Sequence, residues 1–204
     1  MSSVVKKYFP DISDHQQLMF NEMESLYLSV NRTINLISRR DMENFQINHL
    51  LHSLSVARIF SFDHGHTIID AGTGGGLPGI PLAVMFPDTH FILIDSIGKK
   101  IKAVREITGA LGLTNTEAVN GRVEEYPGTC SHVVTRAVAP LPKLAGWCLP
   151  KILQGAATGG IIALKGGDLS AETEPFGKKV TEWDLSKLFD EPFFDTKRLI
   201  HLRP

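Results

Sequence analysis

Two spacings of apolar residues divide the chain. Over residues 13 to 60 they recur at helical intervals, with Leu18, Met23, Leu26, Tyr27, Val30 and Ile34 forming a stripe. A break from Asn31 to Arg40 precedes a second helical run from Asp41 to Phe60. From His66 onward, short apolar runs bounded by glycine, proline and acid alternate with longer amphipathic segments, which predicts a parallel α/β sheet. Strands are expected at 67–71, 90–95, 116–120, 131–136 and 159–165, and helices at 78–86, 98–112 and 141–153. Two further strands are expected near Val180–Leu185 and Arg198–Leu202. Pro78 and Pro81 suit the start of a helix, where a missing amide costs little. The stretch from Gly166 to Gly177 reads as a mobile loop. The pattern gives a helical N-terminal extension, 1–62, packed on an α/β domain, 63–204, as one structural unit.

The pattern is interrupted most informatively at Ile68-Ile69-Asp70-Ala71-Gly72-Thr73-Gly74-Gly75-Gly76-Leu77-Pro78-Gly79. An apolar strand ends in an acid and opens into a glycine loop. A second acid, Asp95, closes the next apolar strand. This pairing makes a nucleoside pocket at the carboxyl edge of a parallel sheet, with Asp95 accepting hydrogen bonds from two ribose hydroxyls. A dinucleotide loop does not fit. Counted from Gly72, its third glycine falls on Leu77, and counted from Gly74 it starts late and leaves Asp70 beside a pyrophosphate. Asp70, Gly72, Gly74 and Leu77 suit S-adenosylmethionine better, because that molecule has no phosphate and carries an ammonium that an acid can hold.

Composition narrows the setting. The chain has 204 residues, 43% hydrophobic and 21% charged, as in a globular domain. No apolar stretch approaches a membrane span, and the first ten residues lack an apolar signal core. Cys130 and Cys148 form no framework, so a reducing cytoplasm and ordinary buried thiols are expected. The net charge of −1 means that any nucleic-acid contact must come from a local basic patch. Lys99, Lys100, Lys102 and Arg105 open the helix after Asp95, and Arg39, Arg40, Arg122, Arg136 and Lys165 lie at strand ends or in the break. They are candidates for RNA phosphate contact, against the alternative of a solvated face. Eight histidines raise the question of a metal. His49 with His52, and His64 with His66, lack companion acids or cysteines at ligand spacing, so no metal is expected and these read as surface or capping histidines.

Several segments together resemble the bacterial small-subunit rRNA guanine-N7 methyltransferases, the RsmG or glucose-inhibited division protein B (GidB) family. They are Asn31-Arg32-Thr33-Ile34-Asn35-Leu36, His49-Leu50-Leu51-His52-Ser53-Leu54, Asp70 through Pro81, and Leu93 through Lys100. Arg122-Val123-Glu124-Glu125, Val134-Thr135-Arg136-Ala137 and Ala163-Leu164-Lys165-Gly166 follow in the family's order. The chain departs from it at His52, often Asp there, and at Thr135, often Ser. The resemblance implies a Rossmann-like class I S-adenosylmethionine-dependent methyltransferase with a mostly parallel seven-stranded sheet. It also implies methylation of a 16S rRNA guanosine near the decoding centre, where streptomycin sensitivity is affected. Cofactor contacts carry over to Gly72, Leu77, Val123, Glu124 and Arg136.

Arg136 ends the fourth strand facing the reactive end of the cofactor, where it would position a carboxylate or nucleotide; the alternative is an ion pair with Glu124 or Glu125. Guanine N7 has a lone pair and no proton, so transfer needs alignment and not a base. That agrees with Arg136-Ala137-Val138-Ala139-Pro140 standing where amine-directed enzymes carry Asn-Pro-Pro-aromatic. The expected substrate is 16S rRNA or the small ribosomal subunit, acted on by a cytoplasmic monomer. Rival readings are a non-catalytic RNA-binding assembly factor, a methyltransferase for another RNA or a small molecule, and an NAD enzyme.

Overall fold

The computed structural model describes residues 4–62, 64–153 and 158–204, without the side chains of Arg39 and Arg40. Seven strands form one sheet in the order β3-β2-β1-β4-β5-β7-β6. They are β1 (Thr67–Ala71), β2 (His90–Asp95), β3 (Thr116–Asn120), β4 (His132–Arg136), β5 (Gly160–Gly166), β6 (Val180–Asp184) and β7 (Lys197–Leu202). The first five run parallel, and β7 is antiparallel to both β5 and β6. The strand order reverses between β1 and β4, which opens a crevice at the carboxyl ends of those strands.

Side chains alternate between two cores because the strand period is 2. Ile68, Leu93, Val134 and Ile162 face one layer, and Ile69, Ile92, Val133 and Ile161 face the other. Both faces are covered, so the central strands are apolar on both sides, as their unbroken runs indicate. On the first face lie the helical extension, α5 (Gly79–Met85) and α6 (Gly98–Ala110); on the second lies α7 (Leu141–Cys148). Pro150, which has no amide, stands in the 3₁₀ turn Leu149–Lys151 that ends α7 earlier than its apolar spacing suggests.

The extension comprises α1 (Val4–Tyr8), α2 (Asp14–Asn31), α3 (Arg39–Met42) and a helical run that changes pitch through Gln46–Leu51, α4 (His52–Leu54) and Ser55–Arg58. A capping box between Ser13 and Gln16 starts α2. The buried stripe of α2 is Met19, Phe20, Met23, Tyr27 and Val30. Leu18, expected in that stripe, is 62% exposed. The helical period fits both registers, and contact with α5 and α6 selects the other one. The break that follows is folded by Asn31, whose side chain bonds the backbone of Leu36 and Ile37. The stretch expected as a mobile loop holds α8 (Ser170–Thr173) and the 3₁₀ turns Glu174–Lys179. Glu172 of α8 bonds the Leu141 amide and Lys165, so this segment is tied to the sheet.

Candidate active site

The glycine loop leaves β1 with its first residue already constrained. Gly72 has φ +66°, and a Cβ there would lie 2.6 Å from Val138 Cγ2, so only glycine fits beside Val138. Below the loop, Asp70 is fully buried. Its Oδ2 accepts from Thr73 Oγ1 at 2.6 Å and from the Gly79 amide at 2.8 Å. Its Oδ1 is buried without a partner among the described residues. Burial pushes this carboxyl up to about 6, against the opposing pull of its two donors. Asp70 was expected to grip an ammonium; first of all, it staples the loop to the start of α5.

Asp95 stands across the loop, 8% exposed. Its Oδ2 accepts from the Gly74 amide at 2.9 Å and its Oδ1 from the Ile97 amide at 2.8 Å. Each carboxylate oxygen retains a second lone pair, so both can still accept a hydroxyl. The extension grips the loop from above: Tyr27 Oη donates to the Gly75 carbonyl at 2.7 Å in a fully buried bond.

Two adjoining clefts flank Asp95. One, of about 480 Å³, is lined by Gly72, Gly74, Leu77, Asp95, Lys100 and Arg136, with Leu36, Ile37 and His49 from the extension. The other, of about 210 Å³, is an apolar slot between Val123, Val138, Leu144 and Trp147, with Arg122 and Glu124 at its edge. Gly72, Asp95, Ser96 and Val138 belong to both. All eight residues expected at the cofactor therefore converge here except Asp70, which lies beneath the loop. Val138 and Ile97, 40% and 42% exposed, leave apolar surface open at the walls.

Arg136 bonds the helical extension. Its Nη1 donates to the Asn48 carbonyl at 3.3 Å and its Nη2 to His49 Nδ1 at 3.1 Å. The alternative reading, an ion pair with Glu124 or Glu125, is not what forms: Arg136 makes these contacts and Glu124 lies 3.7 Å from Arg122. Beyond Arg136 opens a third cleft, of about 460 Å³, lined by His49, His52, Leu164, Lys165, Glu172 and Phe193 among others. Ala137 lies between the clefts at φ +54°, a left-handed conformation that costs a non-glycine residue energy and clusters at functional sites.

The reading of His49 and His52 as surface or capping residues is corrected here. His52 is 6% exposed, and both line the third cleft. Burial pushes His49 down to about 4 and His52 well below its ordinary range, so both rings are neutral near pH 7. Lys165 is not available to phosphate: its Nζ donates to Glu172 at 2.6 Å and to the Ala139 carbonyl at 3.0 Å. Arg105 donates to the Ala118 carbonyl. Lys99, Lys102 and Arg122 are exposed, whereas Lys100 is half-buried at the cleft mouth. The Arg39 and Arg40 side chains lie outside the described residues. Cys130 and Cys148 are buried thiols, pushed up to about 12 by burial. Tyr27, Leu36 and Trp147 were not anticipated. For Leu36 the signal was its place in the recognised Asn31 to Leu36 segment; Tyr27 and Trp147 read only as apolar core.

A family model described as rRNA small subunit methyltransferase G matches residues 16–198. The chain belongs to that family. Relatives of the same name include one from Bacteroides fragilis, 46% identical over 96% of this chain and 97% of its own length. Another, from Christiangramia forsetii, is 45% identical over 98% of this chain and 95% of its own. Among solved structures, a SAM-dependent methyltransferase from Aquifex aeolicus matches with TM-score 0.51 at 15% identity, covering 74% of this chain and 88% of its own. Precorrin-6y C5,15-methyltransferase from Geobacter metallireducens matches with TM-score 0.55 at 12% identity, covering 84% and 91%. These structures share the fold of this methyltransferase family member, a Rossmann-like class I fold; in this chain the antiparallel strand β7 lies beside β5. No helix among the described residues is long and apolar enough to cross a membrane.

Proposed function

We propose that the chain transfers a methyl group from S-adenosylmethionine to N7 of a guanosine in 16S rRNA of the small ribosomal subunit, acting as a cytoplasmic monomer. The observation that carries this reading is the continuity of the three clefts around Asp95 and Arg136, in a chain of the rRNA small subunit methyltransferase G family.

The residues present fit the cofactor. The apolar slot between Val123, Val138 and Trp147 suits adenine, and the spare lone pairs of Asp95 suit the ribose. The unpartnered Oδ1 of Asp70 places negative charge under the loop that would meet the methionine ammonium. Leu77, Gly74 and Arg136 line the remaining end, where the guanidinium suits a carboxylate. When bound, the cofactor supplies an electrophilic methyl on its sulfonium.

The chain's own residues align the partners and exclude water. Ile97 and Val138 flank the nucleoside, while Arg136 stands where the first cleft meets the third. Guanine N7 offers a lone pair in the base plane and releases no proton, so no side chain has to act as a base. Lys99 and Lys102, exposed on α6 beside Lys100, and Arg122 at the edge of the apolar slot are the proposed phosphate contacts.

The test is mass spectrometry of 16S rRNA from a strain lacking this gene, before and after its small subunits are incubated with the purified protein and labelled S-adenosylmethionine. A 7-methylguanosine absent from the deletion strain and restored by the protein is expected. Unchanged rRNA in the deletion strain would refute the assignment.

A further inference from the structure

The third cleft is lined by His49 and His52, whose Nε2 atoms are buried with no partner among the described residues. The proton on the His49 ring is placed by its neighbour. The Arg136 guanidinium can only donate, and its Nη2 lies 3.1 Å from His49 Nδ1. His49 Nδ1 must therefore be the bare nitrogen, and Nε2 carries the proton. His52 Nε2 has no partner among the described residues, and with the ring proton on Nδ1 it is a bare lone pair. In that tautomer the two side chains offer one donor and one acceptor from neighbouring turns of the same helical run. His49 also lines the cofactor cleft, whereas His52 lines only the cleft beyond it.

Guanine presents the complement. Its O6, beside N7, accepts, and the adjacent N1–H donates. Adenine reverses both: an amino group donates at position 6 and N1 accepts. Uracil and cytosine have no N7. We propose that the cleft walled by His49, His52, Arg136 and Phe193 receives the target base, with His49 Nε2–H donating to O6 and His52 Nε2 accepting from N1–H. The order along the cleft agrees, because O6 neighbours the reacting N7 and His49 stands nearer the cofactor. Phe193, edge-on to His52 at 5.3 Å, supplies an apolar wall. Lys197 Nζ lies 4.6 Å from the Phe193 ring centroid, placing a cation at the same cleft.

This assignment rests on the guanosine-N7 reading above and extends it to the residues that read the base. The test uses the full chain, undermethylated small subunits and labelled S-adenosylmethionine. His52→Phe keeps a ring but removes the acceptor, and His52→Asn keeps a polar group where Nδ1 stands. His52→Gln brings an acceptor to the place of Nε2. In both His52→Phe and His52→Asn, kcat/KM should fall about ten- to a hundredfold, the range for a lost polar contact to a buried substrate group. His52→Gln should recover most of that loss. S-adenosylhomocysteine affinity, measured by calorimetry, should match wild type in all three, because His52 does not line the cofactor clefts.

If wild type methylates the subunit and His52→Asn does so equally well, the base assignment is wrong and the guanosine-N7 reading stands. Equal losses in His52→Asn and His52→Gln would also overturn it, since a packing role does not distinguish where the acceptor lies. If wild type binds cofactor but transfers no methyl to guanosine, the underlying reading fails and the assignment fails with it. Should His52→Phe lose cofactor binding through misfolding, the Asn and Gln pair decides.

Discussion

Asp70 holds a carboxyl sealed under the glycine loop, with one oxygen bonded twice and the other not at all. Its value of about 6 lies above the ordinary carboxylate range. The folded state therefore keeps this proton after the unfolded chain has lost it. The resulting stability is present at low pH and is lost as pH rises through about 6. An arriving ammonium favours the ionised form, so cofactor affinity should change in the opposite direction. Between pH 5 and 7, S-adenosylhomocysteine should bind up to about tenfold more tightly as pH rises, one unit below the titration being worth that factor. Asp70→Asn should abolish the slope. Calorimetry at the two pH values checks both statements, and a flat wild-type profile would mean that Asp70 serves only the loop.

At the scale of elements, the extension holds the site together. Tyr27, in the C-terminal half of α2, spends its hydroxyl on the Gly75 carbonyl inside the glycine loop. Tyr27→Phe leaves that buried acceptor without a donor, which costs roughly 1–3 kcal/mol. It should lower the melting temperature and weaken cofactor binding together, since the same bond fixes the loop; a loss of stability with unchanged affinity would show that the loop holds its shape alone. The opening turn of α6 does separable work. Lys99 and Lys102 are exposed there, while Lys100 lines the cleft beside Asp95. Changing Lys99 and Lys102 to Ala, with Lys100 kept, should weaken subunit binding and leave cofactor affinity as it was. The slope of log affinity against log salt should fall by about 0.7–0.9 for each phosphate contact removed. A slope equal to wild type would place the RNA track on another face.

At the scale of the whole molecule, the central strands β1, β2, β4 and β5 were legible in sequence to within one residue, because burial on both faces leaves apolar runs that end where solvent begins. The glycine loop and Asp95 were legible because backbone approach and an acid at a strand end each demand particular residues. The third cleft was not, because helical periodicity shows that one side of a helix is apolar but not that His49 and His52 turn toward β4 and β5. The same burial that hid them predicts how the protein responds to acid. His49 and His132 are pushed down to about 4, His52 lies well below its ordinary range, and His201 is lowered too, in each case chiefly by burial. An imidazole neutral in the folded state and protonated in the unfolded chain stabilises the fold above pH 6.5. That stability is lost as pH falls from 6.5 toward 4, by at most about 1.4 kcal/mol per pH unit for each group. Asp70 acts in the opposite sense between about 4 and 6, but it is one group against four. The melting temperature should therefore drop steadily from pH 7 to pH 5. His132 accounts for part of this, with Nε2 on the Thr158 carbonyl, Nδ1 unpartnered, and the rings of Phe60 and Phe62 against it. His132→Phe suits that aromatic setting and removes one titration, so its melting curve should depend less on pH than that of wild type. Scanning calorimetry of both proteins at half-unit intervals makes the comparison; parallel slopes would show that His132 takes up its proton without unfolding.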